Sequence, residues 1–191
     1  MMDFRKIYRK LSSLRHVEIR NGHFCLYKTP MTFLSPSAFA SLEKVMIENV
    51  GEEKAGKQMY MIFIEAGKEM AKMIHKNTMK TGLDLIHYVA TLSSIGGWGT
   101  WDVVYANDKK LEGIYTQKDF LVSHYLKPSK KPMCHMPRGL ITGVWRFAIG
   151  KNVDCIEISC VAEGYDKCTF EVGTKKSLRK KHPELVKEQI P

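Results

Sequence analysis

Segments with a two-residue hydrophobic repeat come in pairs along this chain, and blocks with a helical repeat separate the pairs. The first pair flanks Asn21-Gly22, which is a strong signal for a tight hairpin turn. The second pair begins near Trp101, and the third covers about 153–160 and 167–173. Because hairpins separated by helices cannot form a doubly wound parallel sheet, the pattern predicts an α+β fold: an antiparallel sheet of hairpins with helices packed on it.

Helical repeats fill the intervals between the hairpins. Gly139 and Gly143 lie four residues apart on one of these helices, so we expect a second backbone to approach it closely. The apolar stripe of the longest helix is predicted to comprise Ala55, Met59, Ile62, Phe63, Ala66, Met70 and Ile74. The predicted helices cover about 3–14, 36–49, 53–77, 82–94, 118–126 and the segment between Pro137 and Gly150.

Length and composition predict a single domain. The chain has 191 residues and is 44% hydrophobic, which suffices for one core and not for two domains joined by a linker. The N-terminal sequence MMDFRKIYRK is charged from its third residue and lacks the apolar run of a signal peptide. Since no run of about 18 uncharged apolar residues occurs either, we expect a cytoplasmic protein that does not insert into a membrane.

A formal charge of +10 suggests an acidic partner, although the charge is unevenly distributed. No RNA-binding aromatic motif, zinc-finger spacing or helix-turn-helix pattern accompanies it. Solvated faces and a frayed C-terminal tail are therefore favoured over a nucleic-acid interface. The basic residues concentrate in two runs, Arg5, Lys6, Arg9, Lys10 and Arg15 near the start and Lys175, Lys176, Arg179, Lys180 and Lys181 near the end.

Four of the five cysteines lie within the 35 residues from Cys134 to Cys168. A disulfide between Cys160 and Cys168 is disfavoured in a reducing compartment. A catalytic pair of Cys134 with His135 is also disfavoured, because adjacent side chains rarely face each other. Metal binding is the favoured interpretation, with reduced core cysteines as the alternative. The spacing proposes Cys134, Cys160 and Cys168 as ligands and leaves the fourth open among Glu157, His135 and Cys155.

Several enzyme classes lack their sequence signatures in this chain. There is no G-x-G-x-x-G after a strand, no G-x-x-x-x-G-K-[ST], no G-x-S-x-G and no H-E-x-x-H. An enzymatic function is therefore less expected than a binding function.

Three runs of sequence resemble the 4-vinyl reductase domain family: YMIFIEAGKEMAKMI, GGWGTWDVV and CHMPRGLITGVWRFAIGKNVDCIEISCVAEGYDKCTFEV. The resemblance covers about 33–173, flanked by a basic helix and hairpin over 1–32 and a basic tail over 174–191. It implies a fold like that of the subunits of the TRAPP trafficking complex and a module that binds small apolar or aromatic molecules. In phenol-sensing relatives a zinc ion is held by Cys, Glu, Cys and Cys, which implies zinc at Cys134, Glu157, Cys160 and Cys168 here.

The residues themselves suggest His87, Trp98 and Trp101 as ligand-binding candidates, because small-molecule sites combine apolar walls with a few polar groups. The alternative for each is an ordinary core aromatic or a hydrogen-bonded histidine. We therefore predict a homodimeric ligand-binding or sensing domain with a structural zinc. The alternatives are a reductase, as the family name suggests, a nucleic-acid or protein-binding adaptor that uses the basic ends, and a trafficking scaffold without a ligand.

Overall fold

The computed structural model describes residues 17–191 except 33 and 127. The predicted basic helix over 3–14 lies outside the described residues. The strands are β1 (Val17–Arg20), β2 (His23–Leu26), β3 (Thr29–Met31), β4 (Thr100–Asn107), β5 (Glu112–Lys118), β6 (Asp154–Ser159) and β7 (Cys168–Gly173). The helices are α1 (Pro36–Val50), α2 (Glu52–Thr78), α3 (Gly82–Ile95), α4 (Leu121–Tyr125), α5 (His135–Ile149), α6 (Lys175–Lys181) and α7 (Pro183–Gln189), with a short 3₁₀ turn at Val161–Glu163.

The strands form two antiparallel sheets, which confirms the predicted α+β class. The larger sheet has the order β4-β5-β7-β6, and the smaller has the order β1-β2-β3. Asn21 and Gly22 turn the first hairpin with φ angles of 50° and 78°, as the sequence predicts. The pattern missed β3, since the β2–β3 turn uses Tyr27 and Lys28 at positive φ without a glycine, and Pro30 argues against a strand.

Helix α5 lies against α2 with the two backbones in close contact. A Cβ atom at Gly139 would lie 2.8 Å from Phe63 Cβ, and one at Gly143 would overlap the Ile64 carbonyl oxygen. Gly67 on α2 approaches the Leu140 backbone in the same way. The close approach expected from Gly139 and Gly143 is thus present, and its partner is α2.

The glycine contact also corrects the predicted apolar stripe of α2. The side chain of Ile62, assigned to the buried face, is 56% exposed, whereas Gly67 and Tyr60 are buried. Hydrophobicity gives glycine and tyrosine little weight, so the pattern missed the line of small residues along which α5 packs. The buried residues of α2 are Ala55, Gly56, Met59, Tyr60, Ile64, Gly67, Ala71 and Ile74.

The C-terminal residues fold into α6 and α7, so the interpretation of this segment as a frayed tail is wrong. Leu178, Val186 and Ile190 are buried and form an apolar cluster with Ile156 of β6. Thr174 caps α6 by accepting a hydrogen bond from Ser177 N, and Pro183 begins α7. The basic side chains of α6 obscured this apolar face because they dominate the composition of the segment.

Among the described residues, none of the helices combines the length and the apolar character that a bilayer span requires.

The α2–α5 contact predicts a large effect for one added methyl group. Gly143→Ala should lower the free energy of unfolding by about 2 kcal/mol or more, because the new Cβ meets backbone atoms that cannot rotate away. Chemical denaturation measures the loss. Gly96→Ala is the matched control, since its Cβ would lie 3.3 Å or more from other atoms and its φ is −71°. Equal stability of the two variants would contradict the assigned contact.

Candidate metal centre and neighbouring cavity

Three elements bring Cys134, Glu157, Cys160 and Cys168 to one point in the core. Cys134 immediately precedes α5, Glu157 lies on β6, Cys160 follows β6, and Cys168 begins β7. All four side chains are buried, and one donor atom from each lies within 4.8 Å of the others. A buried cluster of three thiols and one carboxylate is a set of donors that can hold a metal ion.

A register shift places Glu157 and Cys160 on the same side. Residues three apart on a regular strand point to opposite faces. The pairing of β6 with β7 shifts between Glu157 and Ser159, and the strand ends at Ser159. The irregularity therefore turns Cys160 back toward the Glu157 carboxylate.

The sulfur spacing fits a metal and not a disulfide. The Sγ atoms are separated by 3.4 Å for Cys134 and Cys168, 3.6 Å for Cys134 and Cys160, and 4.0 Å for Cys160 and Cys168. A disulfide requires about 2.0 Å. Tetrahedral zinc, with Zn–S bonds of about 2.3 Å, places its sulfur ligands about 3.8 Å apart.

Backbone amides point at the donor atoms. Val161 N donates to Cys168 Sγ at 3.4 Å, and Ala162 N donates to Cys160 Sγ at 3.4 Å. Cys134 N donates to Glu157 Oε2 at 2.8 Å. Within the described part of the chain, the buried Glu157 Oε1 has no hydrogen-bond partner. Amide donors stabilise thiolate and carboxylate charge, and the free oxygen is available to a cation.

The electrostatics of the cluster favour a bound cation. Burial raises the pKa of Cys134 and of Glu157 well above their usual values, because four negative charges cannot share a dry site. Hydrogen bonds from the Cys134 and Cys168 thiols lower the pKa of Cys160 to about 2. A divalent ion would displace the remaining protons by supplying the missing positive charge.

The two other candidates for the fourth ligand do not face the cluster. His135 Nδ1 accepts from Arg138 Nη2 at 2.7 Å, and its Nε2 lies 3.4 Å from Glu43 Oε1. Burial lowers the pKa of His135 to about 3 and raises that of Glu43 to about 8. The Cys155 thiol contacts the Ile156 carbonyl at 3.8 Å. Sequence reasoning missed Glu43, whose signal is a carboxylate on the buried face of α1.

A small cavity of about 20 Å³ lies between α3, α5 and the larger sheet. Its polar members are Ser93 and Tyr115. The Tyr115 hydroxyl accepts from Trp145 Nε1 at 2.6 Å, which leaves its own proton to donate. Burial raises the pKa of Tyr115, so it stays a neutral phenol. The apolar lining is Ile86, Val89, Ala90, Trp101, Leu140, Ile141 and Val144.

The structure brings Trp98 and Trp101 together and leaves His87 apart. Trp101 lines the cavity, stacks on Phe170 with ring centroids 6.1 Å apart, and donates from Nε1 to Trp98 O at 3.0 Å. The Trp98 ring lies instead in a surface groove, 5.2 Å from the Phe39 ring. His87 is exposed on the outer face of α3, because it is one residue out of phase with Ile86 and Ala90.

Comparison with known families confirms the resemblance found in the sequence. Residues 117–174 match the model of the 4-vinyl reductase domain. The matched segment contains all four residues of the cluster, from Cys134 at the start of α5 to Cys168 at the start of β7. No curated protein matches the chain.

Solved structures share the fold at low sequence identity. The phenol-responsive sensory domain of the transcription activator PoxR, solved with phenol, aligns with a TM-score of 0.79 at 19% identity over 100% of this chain and 99% of that chain. A subunit 3 of the trafficking protein particle complex from Naegleria fowleri, covalently bound to palmitic acid, aligns with a TM-score of 0.58 at 13% identity over 72% and 91%. A vinyl-4-reductase family protein from Methanocaldococcus jannaschii aligns with a TM-score of 0.51 at 17% identity over 74% and 82%.

The cluster predicts a tetrahedral site rich in sulfur. Added Co²⁺ should give the visible absorption of tetrahedral thiolate coordination with one ion per chain, and Cys168→Ser should weaken or abolish it. Cys25→Ser is the matched control, because Cys25 is buried on β2 outside the cluster. Absence of the cobalt spectrum in the unmodified protein would contradict a metal site.

Proposed function

We propose that this chain is a sensing domain for a small aromatic molecule, and that Cys134, Glu157, Cys160 and Cys168 hold a structural zinc ion. The observation that carries the proposal is the pair of sites on one side of the larger sheet: a buried cluster of four metal-binding donors and a separate, mostly apolar cavity. The first accounts for a stable frame and the second for a ligand.

Zinc is the metal that suits these donors best. Thiolates with one carboxylate in a tetrahedron are typical zinc ligands, whereas magnesium and calcium prefer oxygen donors alone. Four protein ligands leave no open position on the ion, which favours a structural role over hydrolysis at the metal. Zinc there would join the start of α5 to β6 and β7, three elements that otherwise meet through side-chain packing.

A small aromatic ligand is supported by the cavity and by one neighbouring structure. The sensory domain of PoxR, which shares the fold, was solved with phenol. In this chain Trp101 contributes an apolar wall, and Ser93 and Tyr115 contribute hydroxyl groups that can bond a phenolic oxygen. The cavity of about 20 Å³ is the size of one water molecule. An aromatic ring must therefore displace side chains of α3 or α5 as it binds.

The candidate Trp101 is kept in this proposal, and Trp98 supports it through its carbonyl group. His87 is not included, because it lies on the exposed face of α3. Homodimerisation and a cytoplasmic location stay predictions.

Zinc is tested by elemental analysis of untagged protein, which should contain about one zinc ion per chain. Removal with a chelator should lower the melting temperature strongly, since structural zinc contributes on the order of 10 kcal/mol to folding. The Cys25→Ser protein should retain its zinc. Metal-free protein of unchanged stability would overturn this part of the proposal.

Ligand binding is tested by titration of the zinc-loaded protein with phenol, followed by calorimetry. Ser93→Ala should weaken binding about three- to tenfold, because one neutral hydrogen bond contributes about 0.5–1.5 kcal/mol. Thr91→Ala is the control, since its hydroxyl bonds to the His87 carbonyl on the exposed side of the same helix. Absence of saturable binding, or equal affinities of the two variants, would argue against this cavity as the phenol site.

A further inference from the structure

The side chain of Gln189, at the end of α7, pairs with the backbone of Glu157 on β6. Glu157 N donates to Gln189 Oε1 at 2.8 Å, and Gln189 Nε2 donates to Glu157 O at 2.9 Å. β6 is at one edge of the larger sheet, and in the described part of the chain no strand pairs with its outer side. The Gln189 amide thus takes the place of a neighbouring strand at a single residue. That residue carries the carboxylate of the metal cluster.

A second contact joins Gln189 to the other side of the cluster. Arg138 Nη1 donates to the Gln189 carbonyl oxygen at 2.8 Å. Arg138 lies on α5 four residues after Cys134, and its guanidinium is buried 5.0 Å from the centre of the Tyr60 ring. Gln189 is therefore held through both its amide and its carbonyl by elements that each carry a metal-binding residue.

The charge of the cluster explains why a buried arginine lies here. Three thiolates, one carboxylate and a divalent ion would leave two net negative charges in the core. Arg138 is fully buried and interacts electrostatically with Glu157 and Cys134. Its positive charge offsets part of that excess, and its Nη1–H bond to Gln189 extends the same network to the C-terminal helix.

We propose that metal binding and the docking of α7 are coupled through Gln189. The inference rests on the proposed metal site. Metal bound to Glu157 fixes the backbone that Gln189 recognises, and docked Gln189 orients Glu157 for the metal. The coupling is reciprocal, so loss of the metal loosens α6 and α7, and loss of the Gln189 contacts weakens metal binding. The C-terminal helices are then the element that carries the occupancy of the buried site to the surface.

The first experiment measures zinc affinity by competition with a chromophoric chelator. Gln189→Met keeps the size of the side chain and removes its hydrogen bonds, so it should weaken zinc binding about tenfold or more, as loss of an outer-shell partner does. Lys187→Met introduces the same residue at an exposed position of α7 and should bind zinc like the unmodified protein. Near-ultraviolet circular dichroism of the buried tryptophans checks that each variant is folded.

The second experiment measures the reverse direction by hydrogen exchange of the full chain with and without zinc. Amides of 175–191 should lose protection on zinc removal before those of β4 and β5 do. In Gln189→Met the exchange of 175–191 should respond less to zinc.

Three outcomes would overturn the coupling: unchanged zinc affinity of Gln189→Met, zinc-independent exchange of 175–191, or simultaneous loss of protection in β4 and β5. Failure of the unmodified protein to bind zinc would overturn the zinc proposal and the coupling together.

Discussion

The position of α5 between two close contacts determines most of this structure. On one side Gly139 and Gly143 let its backbone lie against α2. On the other side the ring of Trp145 fills the space above Gly113 of β5, where a Cβ atom would lie 2.6 Å from Trp145 Cζ2. A helix fixed on both faces has little freedom to slide, because backbone atoms and a fully buried indole cannot move aside. Its first turn therefore delivers Cys134 to a defined point above β6 and β7.

The cluster around Cys134 changes what holds the C-terminal third together. Without a metal, three thiols and a carboxylate share a dry site and must keep protons. A bound cation converts that cost into attraction among α5, β6 and β7. Arg138 and Gln189 surround the cluster with hydrogen bonds that reach α7. The metal site, the edge of the sheet and the C-terminal helices consequently form one network, although they are distant in sequence.

The cavity and the cluster lie on the same face of the sheet and are connected by one row of side chains. Trp101 of β4 pairs with Gln117 of β5, and Gln117 pairs with Cys168 of β7. Paired residues on neighbouring strands share a face, so the buried Gln117 stands between the cavity wall and a metal-binding residue. Its Nε2 donates to Trp98 O at 2.6 Å, the carbonyl that also accepts from Trp101. A ligand that moves Trp101 would act directly on this row.

The sequence by itself determined the α+β class, the hairpin at Asn21-Gly22, the helix bounds to within a few residues, and the choice of Cys134, Cys160 and Cys168 as partners. These features depend on local turn chemistry, on periodicity and on residue type, which are visible along the chain. Family resemblance added Glu157, whose place depends on the register shift after it. Only the tertiary structure decided that Ile62 faces outward, that His87 lies apart from the tryptophans and that Gln189 contacts Glu157. Each of these depends on which surfaces meet across the fold, and no local pattern encodes that meeting.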